Sequence, residues 1–301
     1  MPELPEVHTT TVGLNEKVKG LTVSSVWTDY FVKSTDRKKD TIKNKDFFQK
    51  FKKEIIGSKI KDCERRGKNI LIHLNNQKTI LIHMKMTGHL MYGKYFFDGK
   101  NWIPKEDGPL KDPFNSFIHF LIEFKNGKSL AFSDMRKFAK VTLFETKNRG
   151  EHKDLKILGP EPLEKDFNWK KLKEQILKKT NWPIKKILMD QSIVSGIGNI
   201  YSDEILWASS ISPFKKASQL EDVNFKNIYK NMILILKKSI KLGGDSMSDY
   251  RNIDGQKGGF QNIHKVYRKQ KTICLRKNCG GLIQRAIIGG RSSHFCNKHQ
   301  V

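Results

Sequence analysis

Two groups of residues in this chain have the types and spacing to do chemistry. The first is the start, Met1-Pro2-Glu3-Leu4-Pro5-Glu6. Methionine is readily removed ahead of a small penultimate residue, which would leave Pro2 with a free secondary amine. Such an amine adds to carbonyl-like carbons and forms an iminium, the chemistry lysine performs in Schiff-base enzymes. Glu3 then lies one peptide bond away as a proton donor, with Glu6 close by. The competing reading is an ordinary polar, disordered terminus. The second group is Cys274-x4-Cys279-x16-Cys296-x2-His299. Two short-spaced ligand pairs a hairpin's length apart suit a tetrahedral zinc site, each pair on its own turn. A closed four-ligand site is structural; free cysteines with a tail histidine are the bland alternative. His294 competes as a ligand, but it sits too close to Cys296.

Other residues have types that grip a polyanion. Arg65-Arg66-Gly67-Lys68 lies between two strand-like runs and reads as a phosphate-gripping turn or a solvated basic hairpin. Met84-Lys85-Met86-Thr87-Gly88 and Asp134-Met135-Arg136-Lys137-Phe138 follow strand-like runs. At loop tips Met86, Arg136 and Phe138 could wedge into a base stack; by periodicity Met86 and Phe138 read equally as core. Gly196-Ile197-Gly198-Asn199 opens a helix, where exposed N–H groups suit a phosphate, or where Asn199 simply caps a turn. Between the cysteine pairs, a zinc-held hairpin could present Arg285 or Arg291 to a groove or phosphate.

These residues need elements to position them. Short β-branched and aromatic runs at 21–27, 59–63, 69–74, 79–83, 117–124, 129–133 and 141–144 predict strands. With no long helical period after about residue 55, they predict an antiparallel sandwich. A helix over 7–18 would place the terminus. Leu158-Gly159-Pro160-Glu161-Pro162 reads as a linker or turn. Helices are predicted at 166–178, 183–190, 199–209 and 225–242. The stretch 243–259 looks too long and glycine-rich for a buried connection. The fold class is therefore α+β. Its parts are a β-sandwich over 1–150, a linker over 151–163, a helical domain over 164–265 and a cysteine-rich end over 266–301.

Lys and Arg number 57 against 31 Asp and Glu, a formal charge of +26 that favours a polyanionic partner. Charge alone does not separate DNA from RNA or an anionic membrane surface. No apolar run reaches about 18 residues, so no membrane span is expected. The acidic start lacks the regions of a signal peptide. A soluble, cytoplasmic chain is expected, whose clustered cysteines bind metal rather than form disulfides.

In this order the pieces resemble the formamidopyrimidine-DNA glycosylase/endonuclease VIII family. The matching segments are 2–7, 65–68, 83–88, 134–138, 158–163, 188–204, 243–260 and 274–299. The resemblance implies a bifunctional DNA glycosylase and AP lyase that acts by β,δ-elimination on double-stranded DNA carrying oxidised bases or abasic sites. It implies a monomer with one structural Zn(2+). Pro2 matches the nucleophile toward C1′, Glu3 the acid/base and Glu6 a supporting acid. Lys68 matches the hairpin lysine that contacts phosphate and the damaged nucleotide. Asn199, in a helix–two-turn–helix segment, and Arg291, in the zinc hairpin, match residues that grip the backbone. Met86, Arg136 and Phe138 match residues that fill the void left by the extruded base, since C1′ is out of reach inside a stacked duplex. Tyr267-Arg268-Lys269 matches a DNA-binding tyrosine-basic segment without its usual glycine. Leu4 and the loop 243–261, similar to one that caps 8-oxoguanine, favour oxidised purines, namely 8-oxoguanine and formamidopyrimidines. An endonuclease VIII-like preference for oxidised pyrimidines, a non-catalytic damaged-DNA binder and an RNA-associated zinc protein are the alternatives. The chain departs from the family where His299 replaces a fourth cysteine, where the first pair is x4 rather than x2, and in a longer 92–111 region.

Overall fold

Apolar residues recur along the strand-like runs, and eight of the strands pair into two sheets that share one core. The computed structural model describes residues 1–31, 39–247 and 249–300. Ser248, within the 243–261 loop, and Val301 lie outside the described residues. The chain divides into two compact units, Met1–Lys156 with Leu242–Gly259, and Ile157–Lys241 with Phe260–Val301.

The first unit contains α1 (Leu4–Lys17), β1 (Val23–Thr28), α2 (Lys45–Ile55), β2 (Ile60–Arg66), β3 (Asn69–Leu74), β4 (Lys78–His83) and β5 (His89–Gly93). There follow β6 (Tyr95–Phe97), β7 (Trp102–Pro104), β8 (Ile118–Phe124), β9 (Ser129–Ser133) and β10 (Lys140–Glu145). Two four-stranded sheets, ordered β1-β8-β9-β5 and β10-β4-β3-β2, pair antiparallel throughout. Val26, Phe120 and Phe132 of one sheet and Ile72, Ile80 and Ile82 of the other meet in the core, joined by Val7 and Leu14 of α1. Each such side chain contributes about 1.5–3 kcal/mol by leaving water. The expected sandwich is present. The sequence reading did not assign α2, β5 or the β6–β7 hairpin. In α2 the buried face is Phe48, Phe51 and Ile55, and the Asn44 side chain caps its start by accepting from the Phe47 amide at 2.8 Å.

The 243–259 stretch differs from its sequence reading, which put it with the helices as an unburied connection. It packs with the first unit. Tyr250, Arg251 and Ile253 are buried, and Ile253 enters the sandwich core. Polar side chains solve the backbone problem that the composition raised: Ser246 Oγ donates to the Tyr250 carbonyl (2.7 Å) and accepts from the Gly258 amide (2.8 Å).

The second unit contains α3 (Trp169–Leu177), α4 (Ile184–Met189), α5 (Asn199–Ser209), α6 (Asp222–Lys241), β11 (Ile283–Ile288) and β12 (Arg291–Cys296). The Gln191 side chain knits the turn between α4 and α5. Its amide donates to the carbonyls of Met189 (2.9 Å) and Ile197 (2.7 Å), and its oxygen accepts from the Gly196 amide (2.9 Å). The sequence reading took 151–163 as a linker. Within it, residues 159 and 160 are tied into this unit, with the Gly159 amide on the Gln191 carbonyl (2.8 Å) and the Ser195 amide on that of Pro160 (3.0 Å).

Candidate active site and nucleic-acid interface

The terminus is not disordered. Glu3 is the N-cap of α1, and the helix closes a reciprocal capping box: the Glu3 side chain accepts from the Glu6 amide, while Glu6 Oε2 accepts from the Glu3 amide at 2.8 Å. Pro5 in the first turn fits because its missing N–H has no helical partner to lose. Pro2 is buried, as are Glu3 (2% exposed) and Glu6 (1%). The second Glu6 oxygen, Oε1, accepts from the Asp245 amide at 2.7 Å. The backbone comes this close because residue 244 is glycine: it has φ of +85°, and a Cβ there would stand 2.9 Å from Glu6 Oε1.

Lys68 stands on the two-residue turn between β2 and β3, where Arg66 pairs with Asn69. Gly67, at φ +57°, takes the first central position that such a turn reserves for glycine. Lys68 is only 6% exposed. The amine of Met1 is held below its usual pKa chiefly by burial, opposed by Glu3 and Glu6, reinforced by Lys68 and opposed by Asp249. The chain start therefore lies in the field of three carboxylates and a lysine, and its burial disfavours the charged amine.

The two loops that were expected to carry wedge residues are organised by Asp134, which is fully buried. Its Oδ1 accepts from Thr87 Oγ1 (2.5 Å), and its Oδ2 from Tyr30 OH (2.9 Å) and the Ala139 amide (2.8 Å). Thr87 Oγ1 in turn accepts from the Arg136 amide at 3.2 Å. One carboxylate thus fixes residues 84–88 against 134–139. On that frame Phe138 is 51% exposed, so it is not a core residue, and Met86 is half-buried. The Arg136 guanidinium stacks over the Phe138 ring at 4.5 Å.

In the second unit Asn199, Tyr267, Arg268, Gln270, Arg285 and Arg291 line a cleft of about 560 Å³ with Gly290, Ser292 and His294. Arg291 follows the Gly289-Gly290 turn of the β11–β12 hairpin, and Asn199 opens α5. Two buried carboxylates hold these walls together. Asp203 Oδ1 pairs with Lys185 Nζ (2.6 Å), and its Oδ2 accepts from both the His294 amide and Nδ1 (2.9 Å each). Lys185 Nζ also donates to the Asn199 carbonyl at 2.9 Å. Glu204 accepts from the amides of Lys265, Val266 and Tyr267 at 2.9–3.1 Å, which fixes the turn that carries Tyr267. His294 is thereby committed to Asp203 rather than to the cysteine cluster.

Cys274, Cys279, Cys296 and His299 converge, with all four ligand atoms within 4.8 Å of one another. Cys279 Sγ lies 3.5 Å from Cys296 Sγ, and His299 Nδ1 lies 3.4 and 3.5 Å from the sulfurs of Cys274 and Cys279. A tetrahedron with Zn–S of about 2.3 Å and Zn–N of about 2.0 Å has edges near 3.5–3.8 Å, so the set fits such an ion. His299 Nε2 donates to the Trp207 carbonyl at 3.2 Å, which turns the Nδ1 lone pair toward the sulfurs. The longer first pair is accommodated by a turn in which the Cys279 amide donates to the Arg276 carbonyl (3.1 Å) and Asn278 takes φ of +58°. A Cβ on Gly281 would stand 2.6 Å from Cys296 Sγ, so the cradle depends on that glycine. These residues could bind a metal ion.

Comparison with known proteins agrees with this geometry. The formamidopyrimidine-DNA glycosylase N-terminal domain model matches residues 1–141, and the H2TH domain model of the same glycosylase matches 158–251. A formamidopyrimidine-DNA glycosylase of Bacillus subtilis is 36% identical over 302 residues, covering 100% of this chain and 99% of that protein. The chain belongs to the formamidopyrimidine-DNA glycosylase family. A relative from Desulforamulus reducens is 34% identical over 301 residues, covering 100% of this chain and 99% of its own length. Among solved structures, Lactococcus lactis Fpg in complex with DNA containing an abasic site has a TM-score of 0.82 at 32% identity, covering 99% of both chains. MutM in complex with carbocyclic 8-oxo-G containing DNA has the same score, identity and coverage.

For this glycosylase-family chain, the sequence-predicted residues fall into separate groups. Pro2, Glu3 and Glu6 cluster at the start of α1 with Lys68 in electrostatic reach of the terminus. Met86, Arg136 and Phe138 sit on the two loops braced by Asp134. Asn199, Tyr267 and Arg291 line the second-unit cleft. Sequence reading missed the buried carboxylates Asp134, Asp203 and Glu204, and the buried cations Lys185 and Arg251. For Lys185 the signal was charge between apolar residues, in Ile184-Lys185-Lys186-Ile187, which does not reveal a partner; Asp134 and Arg251 stand in polar segments and gave none.

Proposed function

We propose that this chain is a DNA glycosylase for oxidised purines in base excision repair, and that it also cleaves the strand at the resulting abasic site. The observation that carries the reading is the buried Pro2 at the head of a capped helix, set among Glu3, Glu6 and Lys68. Relatives of the same family have been captured on DNA with an abasic site, Fapy-dG or carbocyclic 8-oxo-G, and this chain takes the same class of lesion.

In this reading Met1 is removed and the Pro2 nitrogen attacks C1′ of the extruded nucleotide. The bond from C1′ to the base breaks, and the base leaves with its electron pair. Glu3 donates a proton as the sugar ring opens, which leaves an iminium between Pro2 and C1′. Loss of the 2′ proton then expels the 3′ phosphate, and a second elimination expels the 5′ phosphate. Glu6 orients Glu3 through its amide and holds residue 245 in place. Lys68 contributes positive charge near the reacting nucleotide and its phosphate. Phe138 and Met86 fill the gap in the duplex, with Arg136 stacked behind Phe138. Asn199, Tyr267 and Arg291 hold the phosphates that flank the lesion, and residues 243–261 cover the base. Cys274, Cys279, Cys296 and His299 would hold a zinc ion. It would supply a structural cross-link and no chemistry, holding the hairpin that carries Arg291. Among the described residues no helix is long and apolar enough to cross a membrane. The protein works as a cytoplasmic, nucleoid-associated monomer.

Duplexes carrying 8-oxoguanine, formamidopyrimidine or thymine glycol test the reading. Base release and strand cleavage are expected for the two purine lesions, with thymine glycol poorer. Preference for thymine glycol would reverse the substrate assignment, and binding without base release would leave only a damaged-DNA binder.

A further inference from the structure

The segment 244–256 touches the N-terminal site directly, and its position is set from outside that site. Asp245 donates its amide to Glu6 Oε1, and Tyr250 OH donates to the Glu6 carbonyl at 3.0 Å. Immediately after Tyr250 stands Arg251, a guanidinium only 1% exposed. Its Nη1 donates to the Tyr250 carbonyl at 2.9 Å. Its Nη2 reaches both oxygens of Asp112 at 3.1 and 3.2 Å, and its Cζ lies 4.8 Å from the centroid of the Phe114 ring. Asn115 adds a second tie by donating to the Gly255 carbonyl at 3.3 Å. Asp112 follows directly on the long 92–111 region, for which the sequence offers no role.

A buried guanidinium is tolerated only where its partner is held in place, and its planar fork admits few geometries. The Asp112–Arg251 pair therefore fixes where the segment can sit. We propose that Arg251 is a positioning residue: clamped to Asp112, it holds Asp245 and Tyr250 against Glu6 and sets the cover over the base pocket. This makes the 92–115 stretch a buttress for lesion recognition. The proposal rests on the reading that residues 243–261 cover the extruded base.

The test compares the full-length chain with Arg251→Met, Asp112→Asn and the double variant, with Arg251→Lys as the conservative control. Amide hydrogen exchange is measured alongside single-turnover release of 8-oxoguanine and cleavage of a preformed abasic site. Exchange in 244–250 should accelerate in each single variant and no further in the double, while α1 and the sheets stay protected. Base release should fall about 10- to 100-fold, the cost of small misplacements remote from the chemistry. Abasic-site cleavage, which needs no base cover, should stay within about threefold. Arg251→Lys should recover part of the loss. Unchanged exchange in 244–250, or an equal loss in both reactions, would overturn the clamp. Should the wild-type chain cleave abasic sites yet release no 8-oxoguanine, the base-covering reading fails, and the exchange arm still decides the clamp.

Discussion

Glu6 shows how much one side chain can settle. One oxygen closes the capping box on Glu3 and the other anchors Asp245, so the same carboxylate orients the proposed proton donor and a loop remote in sequence. Buried histidines on the same unit act in the opposite sense, through their neutrality. His89 is 1% exposed, its Nε2 lies 2.9 Å from Asn115 Oδ1, and burial pushes its pKa from 6.5 down to about 4. The unfolded chain therefore binds the proton more readily than the folded one. This histidine's contribution is complete above pH 6.5 and is lost as pH falls toward about 4, a change of about 3 kcal/mol in total. Urea unfolding of wild type and His89→Asn from pH 7.5 down to 4.5 checks this. The stability gap between them should narrow as pH falls, and a gap independent of pH would contradict the assignment.

At the scale of elements, the Cys3His cluster ties the β11–β12 hairpin to α5 through the Trp207 carbonyl, and Asp203 ties the same hairpin to the start of α5. If the cluster holds a metal as proposed, stripping it should loosen the hairpin end that holds Cys296 and so weaken the proposed grip of Arg291 on DNA. The purified chain is expected to hold one zinc by elemental analysis. Cys296→Ser should lose both the zinc and duplex affinity while the sandwich still unfolds cooperatively. A zinc-free wild-type chain with undiminished DNA affinity would rule this out. Much of this was legible in the sequence, because ligand spacing, strand alternation and a Pro-Glu terminus are local patterns. The Cys-x4-Cys and Cys-x2-His pairs needed only a hairpin between them, and β11–β12 is that hairpin. What was not legible depends on pairings across long separations. Asp134 to Tyr30, Lys185 to Asp203, and Arg251 to Asp112 are each an unremarkable charge or hydroxyl until folding removes water around them. The β6–β7 hairpin escaped notice because its strands have only three residues each, too short to display a period. The glycine-rich 243–259 stretch read as unburied because composition does not show that Gly244 permits contact with Glu6.

At the scale of the whole molecule, a formal charge of +26 lies on a chain whose two units each carry groups suited to DNA. That excess favours encounter with any duplex and makes binding strongly salt-dependent, but it selects no lesion. In the proposed reading, selection and chemistry rest on a few buried groups in the first unit, and above all on the nitrogen of Pro2. Borohydride reduction of the chain on an abasic-site duplex, followed by mass mapping of the cross-linked peptide, tests this most directly. The account predicts a chain lacking Met1, with the sugar attached to the Pro2 nitrogen. An adduct on the ε-amine of Lys68 or another lysine, or a mature chain that keeps Met1 and still forms the adduct, would contradict it.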